Sequence, residues 1–590
     1  MAAAPSSRVP IRSAGTIQDQ SSRGDEPASQ EESLSMWEIR KKRMETLCCS
    51  NRPSGTLFRE AWRRQQLASE KGAIIVLLLV VCESLASFAS TKFIFGSFLD
   101  AWYQEKRPEG YFQTYGSALL RTHGFPYVAL ILFPIAGWLG DAKVGRYKMV
   151  VANLLIQFAT FTIAAFYFSF YQLLPQIGGS YKMFITIVFY VLICAGAAGV
   201  SANIIPFGAD QLLYGPAEQV TSYFNWYTWT REVGRLLIAI SFWIHAAEVR
   251  AFVATFAASV VAAVAVVVST RFKQWLFVEN ERRNPLKDIF DVLRFAVAAK
   301  RPELVSAFGY DGRNAPSRVD LAKSKHGGRF DSHTVEDVKT FLSLLPLLVT
   351  LGIALSFVLG IQSSLVLQAN NMYIDKPGVV NHVWLELLNA MLNSVIILIA
   401  IPIMDQLIFP FLRDFTPSTL KRIGMGWVSL VLASFISMLH EAVSYHQSRS
   451  NDRCVFSLND GVGADSPSLP FWLYLLTQTL LSVSYMLIKT SSFEFFYTQS
   501  PHRMRGMMIG LLLFSEGLLG GVFTALQTEF IADGSSSPDQ PCRIWYYLIT
   551  LVTAVIAFVI FISVTLKYKR RMRAGIEDSG RYYLITPRRS

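Results

Sequence analysis

Gly137 to Lys148 reads GWLGDAKVGRYK, three glycines and four charged residues held between two apolar stretches, Ser117 to Leu139 and Met149 to Phe170. Each stretch has the roughly 20 residues that a helix needs to cross the hydrocarbon core of a bilayer. A segment this short between two such stretches reads as the turn joining two membrane helices. Its glycines Gly137 and Gly145 let helices approach closely, and Asp141 and Arg146 are placed to bridge helix ends.

The same alternation continues in both directions. Residues 1–71, rich in Ser, Arg, Glu and Gln, hold no apolar run long enough for a signal peptide or a span and read as a disordered tail. Apolar blocks then fall at about Gly72 to Phe98, Ser117 to Leu139, Met149 to Phe170, Met183 to Ala202, Thr221 to His245 and Ala251 to Ser269, a first bundle over residues 72–270. Residues 271–339 form a polar linker. Within it PLKDIFDVLRFAVAAKRPELVSAF places Leu286, Ile289, Phe290, Val292, Leu293 and Phe295 at helical spacing beside charges, the pattern of an interfacial helix. Six more blocks, at about Thr340 to Leu367, Val383 to Pro410, Gly424 to His440, Phe471 to Lys489, Met507 to Leu526 and Ile544 to Leu566, make a second bundle over residues 340–567. Residues 568–590 are a second tail. Basic residues gather on one side of this arrangement, which puts both termini in the cytosol.

Composition agrees with an all-α membrane protein of about twelve spans. Of the 590 residues 52% are hydrophobic and 17% charged, against about a quarter charged in soluble proteins. The net charge of +12 lies in short segments beside apolar blocks, so the partner it implies is the lipid bilayer and not nucleic acid. No HExxH, GxSxG, phosphate-binding glycine loop or CxxC pair occurs in a supporting context, so neither an enzyme nor a cofactor or metal site is expected.

Six plus six spans with a long connector resembles the major facilitator superfamily, and GWLGDAKVGRYK resembles its loop between helices 2 and 3. ANIIPFGADQL from Ala202, VEDVKTFLSLLPLL from Val335, LQANNM from Leu367, NSVIILIAIPIMDQLIFPFL from Asn393 and FEFFYTQSPHRMRG from Phe493 narrow the resemblance to the proton-dependent oligopeptide transporter family, most like its peptide and histidine branch. The resemblance covers about Gly72 to Lys567. It implies an alternating-access carrier with a midplane site between two halves, a small peptide or amino acid as substrate, and protons as a second one. It marks Gly137, Asp141, Gly145, Arg146, Asp210, Pro402, Asp405 and Glu494 as gate or structural residues, and Asn393, nine residues before Pro402, as the receiver of a substrate amino group.

Several of the family's charges are missing. Its ExxER sequence becomes Val80, Glu83 and Ser84, its helix-4 Lys becomes Ser201 and its helix-10 Glu becomes Tyr485. Charge is gained instead in FNWYTWTREVGRL, where Arg231 and Glu232 replace an Ile-Asn pair and Arg235 replaces a Ser. A charge inside a bilayer needs a partner or a cavity, so Glu83 is expected to pair with Arg231 or Arg235, and either arginine to take a substrate carboxylate. Glu83 and Glu516 are the candidate proton-coupling acids, and Asn393, Arg231, Arg235, Glu232 and Tyr485 the candidate substrate contacts.

Cys454 and Cys542 fall in the last two lumenal loops, where they form a disulfide or stay as two free thiols. Tyr582 to Ile585 gives a YxxΦ sorting pattern that a cytosolic adaptor would read. With the branch resemblance it points to endosomal and lysosomal membranes, the plasma membrane being the alternative. The lost charges fit a second function, a non-transporting scaffold or sensor, and the gained arginines a third, a carrier for an anion such as nitrate.

Overall fold

The computed structural model describes residues 70–86, 131–171, 179–212, 217–244, 250–276, 284–298, 317–370, 382–408, 418–448, 471–531, 543–568, 572–573 and 584–585. These residues are almost entirely helical, as lipid requires of a spanning backbone, whose N–H and C=O groups find no water there. Helix α1 covers 70–86 and α2 covers 131–139. A π turn at Gly140–Val144 leads to α3 (Arg146–Tyr171), α4 (Gly179–Asp210), α5 (Ala217–Ile244) and α6 (Arg250–Arg271). The connector carries α7 (Pro285–Ala298), and the second half holds α8 (Ser332–Asn370), α9 (His382–Ile403), α10 (Thr419–Ser448), α11 (Phe471–Gln499), α12 (Arg505–Ile531) and α13 (Arg543–Lys567). In the C-terminal tail Met572–Arg573 pairs antiparallel with Leu584–Ile585.

Five of these helices are long and apolar enough to cross a membrane by length and composition, among them Ser332–Leu365 and Ile544–Lys567. The helices that meet at the centre carry polar side chains, such as Arg231 and Glu232 on α5, which lower their hydropathy. Outward faces follow the lipid rule instead: Val552, Ile556, Val559 and Ile560 on α13 and Leu155, Ile163 and Phe166 on α3 are exposed.

Within the first half α3 packs on α4 and α6, and within the second α8 packs on α12, α11 and α13 while α10 packs on α11 and α13. The halves meet where α5 crosses α9 and α11 and where α4 crosses α12. Most helices outrun the apolar blocks that announce them. Helix α11 continues from Lys489 to Gln499, α4 from Ala202 to Asp210 and α12 to Ile531. The added turns of α4 and α11 escape a hydropathy window because they carry polar groups that meet each other, as Tyr497 and Asp210 do at 2.9 Å.

The connector is shorter than the sequence implies, since α8 begins at Ser332 and not at Thr340. Its first turns are amphipathic: Val335 and Val338 are fully buried, while Glu336 and Lys339 join an ion cluster with the connector. Lys323 lies 2.6 Å from Asp320 and also pairs with Glu336, and Lys339 lies 3.0 Å from Asp320. Burial works to raise the Asp320 carboxyl pKa, but hydrogen bonds from Lys323, Ser317 and Lys339 hold it well below the usual carboxylate range. Lys323 is shifted upward, burial being outweighed by its bonds to Asp320 and Glu336. The stabilisation from Asp320 is therefore complete above its unfolded pKa of about 3.9 and is lost as pH falls through the folded value; that from Lys323 is complete below about 10.4 and is lost as pH rises through its folded value. Amide-exchange protection of residues 317–339 is expected to stay level between about pH 5 and pH 9 and to fall on further acidification. Asp320→Asn should lower that protection across the whole plateau.

Candidate functional site at the seam between the halves

At the end where α1 begins and α13 finishes, buried charges from both halves converge. Gly145 starts the arrangement. Its φ of 91° and ψ of 141° suit glycine, and this backbone ends the π turn so that Arg146 opens α3 pointing into the seam. The Arg146 guanidinium bonds Asp141 at 2.7 Å, pairs with Asp210 on α4, and donates to the His502 carbonyl of the other half at 2.9 Å. Asp210 also takes a hydrogen bond from Tyr497 at 2.9 Å and pairs with Arg505 at 3.1 Å, both from the second half. Asp141 accepts the Met507 amide at 2.9 Å. A similar set ties α5 across: Thr221 donates to Glu494 at 3.0 Å, Ser222 and Asn225 donate to Asp405 at 3.0 Å, and Arg422 closes the Glu494 pair at 2.7 Å.

Glycine makes this closure possible. A Cβ on Gly137 would stand 2.2 Å from the Gly506 carbonyl oxygen, and one on Gly510 would stand 2.5 Å from the Phe133 carbonyl oxygen. Backbone meets backbone on both sides, so no side chain can yield. Gly137→Ala is expected to oppose closure by about 1–3 kcal/mol, roughly tenfold for each 1.4 kcal/mol. The check is the labelling rate of a cysteine introduced at Gln219, which should rise as the seam loosens.

Further into the bundle lie the charges that depart from the family pattern. Glu83 on α1 and Glu232 on α5 are buried. Ser201, at the place of the missing Lys, donates to Glu83 at 3.3 Å. Arg231 bonds Tyr227 and lies within electrostatic reach of Tyr485, Glu83 and Glu232. Arg235 pairs with Glu232 at 3.2 Å, and Glu232 also takes a hydrogen bond from Ser394 on α9 at 2.9 Å. Glu232 and Arg235 of α5 thus reach the second half through Ser394, while Tyr485, at the sequence position of the missing Glu, is buried on α11. On α9, Asn393 is buried and bonded to Ser482 at 2.8 Å.

Glu516 has a partner that the sequence analysis does not find. Lys489, on α11, forms an ion pair with it and lies 5.1 Å from the centre of the Phe493 ring. Lys489 stands at the edge of an apolar block and so reads as the end of a span, whereas α11 runs on for nearly three turns beyond it. Tyr497 and Arg505 lie inside the motif quoted from Phe493, and Arg422 lies ten residues past the end of the one quoted from Asn393; nothing in the sequence marks which charges they meet. Pro402 lies inside α9 one turn before Asp405. Among the sorting residues Ile585 lies in the short C-terminal strand, whereas Tyr582, Cys454 and Cys542 lie outside the described residues.

A family model described as POT family matches residues 153–540. The chain belongs to the POT family. Proteins of that family are transporters, and this POT-family protein is an integral membrane transporter and not an enzyme. It is similar to Solute carrier family 15 member 5 of Homo sapiens, 25% identical over 432 residues that cover 69% of this chain and 71% of that one. It is also similar to Solute carrier family 15 member 3 of Mus musculus, 22% identical over 75% of this chain and 83% of that one, and to Protein NRT1/ PTR FAMILY 5.14 of Arabidopsis thaliana, 24% identical over 75% and 85%. Among solved structures, the POT family transporter PepTSo superposes with a TM-score of 0.59 at 16% identity, over 84% of this chain and 99% of that one. A POT family transporter in complex with 5-aminolevulinic acid gives 0.54 at 12% identity, over 84% and 96%. These superpositions establish the two-bundle major facilitator fold.

Proposed function

We propose that this POT-family protein is an alternating-access carrier that takes short peptides or histidine from the lumen of endosomes or lysosomes to the cytosol, with both termini cytosolic. The observation that carries this reading is the placement of Asn393 and Ser482 on one half beside the Arg231 network of the other. Ser394, next to Asn393, reaches Glu232, and Tyr485, one turn from Ser482, lies within electrostatic reach of Arg231. Ser482 Oγ stands 2.8 Å from both Asn393 Oδ1 and the Gln478 carbonyl oxygen, yet a serine carries a single hydroxyl proton. Giving that proton to the Gln478 carbonyl lets the Asn393 amide turn, its nitrogen donating to Ser482 and its oxygen facing the seam. An oxygen acceptor there suits a substrate ammonium group, and the α5 arginines suit a carboxylate.

Proton coupling is assigned to Glu83, which borders Ser201 and the Arg231 charge; Glu516 is the alternative acid. A carrier needs a seam that opens and closes, and the ion pairs around Arg146 and Glu494 supply such a gate. The arginines of α5 also favour a second reading, an anionic substrate such as nitrate. Uptake of labelled histidine, dipeptides and nitrate into proteoliposomes, with and without an inward acid gradient, separates these readings. Saturable peptide or histidine uptake that rises with the gradient in wild type and loses that dependence in Glu83→Gln is the expected result. Uptake of nitrate alone would replace the substrate assignment, and uptake of none of them would favour a scaffold.

A further inference from the structure

Helix α7 divides into faces of different chemistry. Pro285, Ile289, Val292 and Ala296 are buried against the protein. Leu286, Phe290 and Val297 are 43%, 64% and 84% exposed, and at 3.6 residues per turn they fall within about 40° of one another around the helix axis. Lys287 and Arg294, also exposed, follow within about the next 60°. Asp291, half-buried, lies about 40° beyond Lys287 at the rim of this face, and Asp288, also half-buried, about 60° further on toward the protein. The exposed side chains therefore combine an apolar stripe with basic charge, the acids being half-buried.

The same helix is attached to both halves at the gate end. Trp138, beside the Gly137 contact, donates from its indole nitrogen to Asn284 Oδ1 at 3.0 Å, the oxygen that also accepts the Lys287 amide at 3.4 Å and caps α7. On the other side Pro285 and Asp288 share a crevice with Thr334 and Asp337 of α8 and with Arg503 and Met504 before α12. The connector around α7 is fastened to α8 by the Asp320, Lys323, Glu336 and Lys339 ion cluster, and Phe295 sets its ring against Phe330 of that connector at 6.1 Å. Helix α7 thus belongs mechanically to the second half and holds the first through the side chain of Trp138.

We propose that the outer face of α7 docks on the anionic headgroup layer of the membrane that the bundle spans, and that this docking keeps α7 against Trp138 and favours the closed gate end. Leu286, Phe290 and Val297 would enter the boundary between headgroups and acyl chains, while the long stems of Lys287 and Arg294 reach up to the phosphates. The segregation of charge selects the partner. Exposed basic residues beside half-buried acids fit an anionic lipid surface, and the helix sits at the end of a bundle that is itself embedded in lipid. The docking is independent of what the protein carries; only its effect on the gate rests on the carrier reading.

The test uses the full-length chain with Phe290→Cys carrying a polarity-sensitive fluorophore, in nanodiscs of phosphatidylcholine alone or mixed with phosphatidylserine. Emission should shift to the blue in the anionic discs and return on adding salt. Lys287→Gln with Arg294→Gln should lower the docked-to-undocked ratio by about 25-fold, near fivefold for each basic residue. Thiol labelling of a cysteine at Gln219 should slow in anionic discs, and Trp138→Phe should abolish that slowing while the fluorophore still reports docking. Emission identical in neutral and anionic discs overturns the lipid assignment and leaves the face to a protein partner. Docking that leaves the labelling rate unchanged overturns the latch. Both readouts work whether or not any peptide is transported.

Discussion

Arg146→Ala should be the most damaging single substitution at the gate end, lowering the melting temperature of the detergent-solubilised protein and leaving the seam open. The guanidinium serves Asp141, Asp210 and the His502 carbonyl together, and its side chain is only 9% exposed. Removing one partner of a buried ion pair costs about 3–5 kcal/mol, because the other charge stays buried without compensation. Here two carboxylates lose the same cation, and Arg505 and Tyr497 can relieve only Asp210. Arg146→Lys keeps the charge but not the planar fork that serves several acceptors at once, so its effect should be intermediate. A melting temperature unchanged in Arg146→Ala would show that the contacts carry no net stability.

Lys489→Met should be nearly as costly, and its combination with Glu516→Leu should not. The single change leaves Glu516, 12% exposed at its side chain, inside the second half without its cation, again a loss of about 3–5 kcal/mol. Removing both charges leaves an apolar contact between α11 and α12, which is commonly neutral or stabilising. A double-mutant cycle on melting temperature reads the coupling directly. If the double variant is stable but inactive, the pair serves transport and not folding; if it is stable and active, the pair is dispensable to both.

The extent to which the sequence is legible differs between the lipid-facing and the seam-facing parts. The outer faces of α3 and α13 satisfy one simple requirement, apolar side chains toward lipid, and a hydropathy window sees it. At the seam the requirement is mutual: Asp141, Arg146 and Asp210 are marked by motif resemblance, but their partners Tyr497, Arg505 and the His502 carbonyl come from more than 280 residues away in the chain. The hydrogen bond from Ser201 to Glu83, 118 residues away, is of the same kind, whereas Arg235 and Glu232 are a local pair on one helix. Sequence offered both arginines to Glu83; helix geometry set Arg235 one turn from Glu232 and gave it that partner.

By itself, then, the chain determined a membrane protein of two helical bundles, the family it belongs to, and the helices on which the unusual charges lie, because span length, apolar periodicity and local motifs are properties of consecutive residues. Only the tertiary structure decided which charge neutralises which, that Lys489 compensates Glu516, and that α7 grips Trp138. Those choices depend on helix rotation and on close backbone approach at Gly137 and Gly506, where the absence of a Cβ lets two distant segments touch. The energy of a buried charge is set by its neighbours in space, and no local reading of the chain contains them.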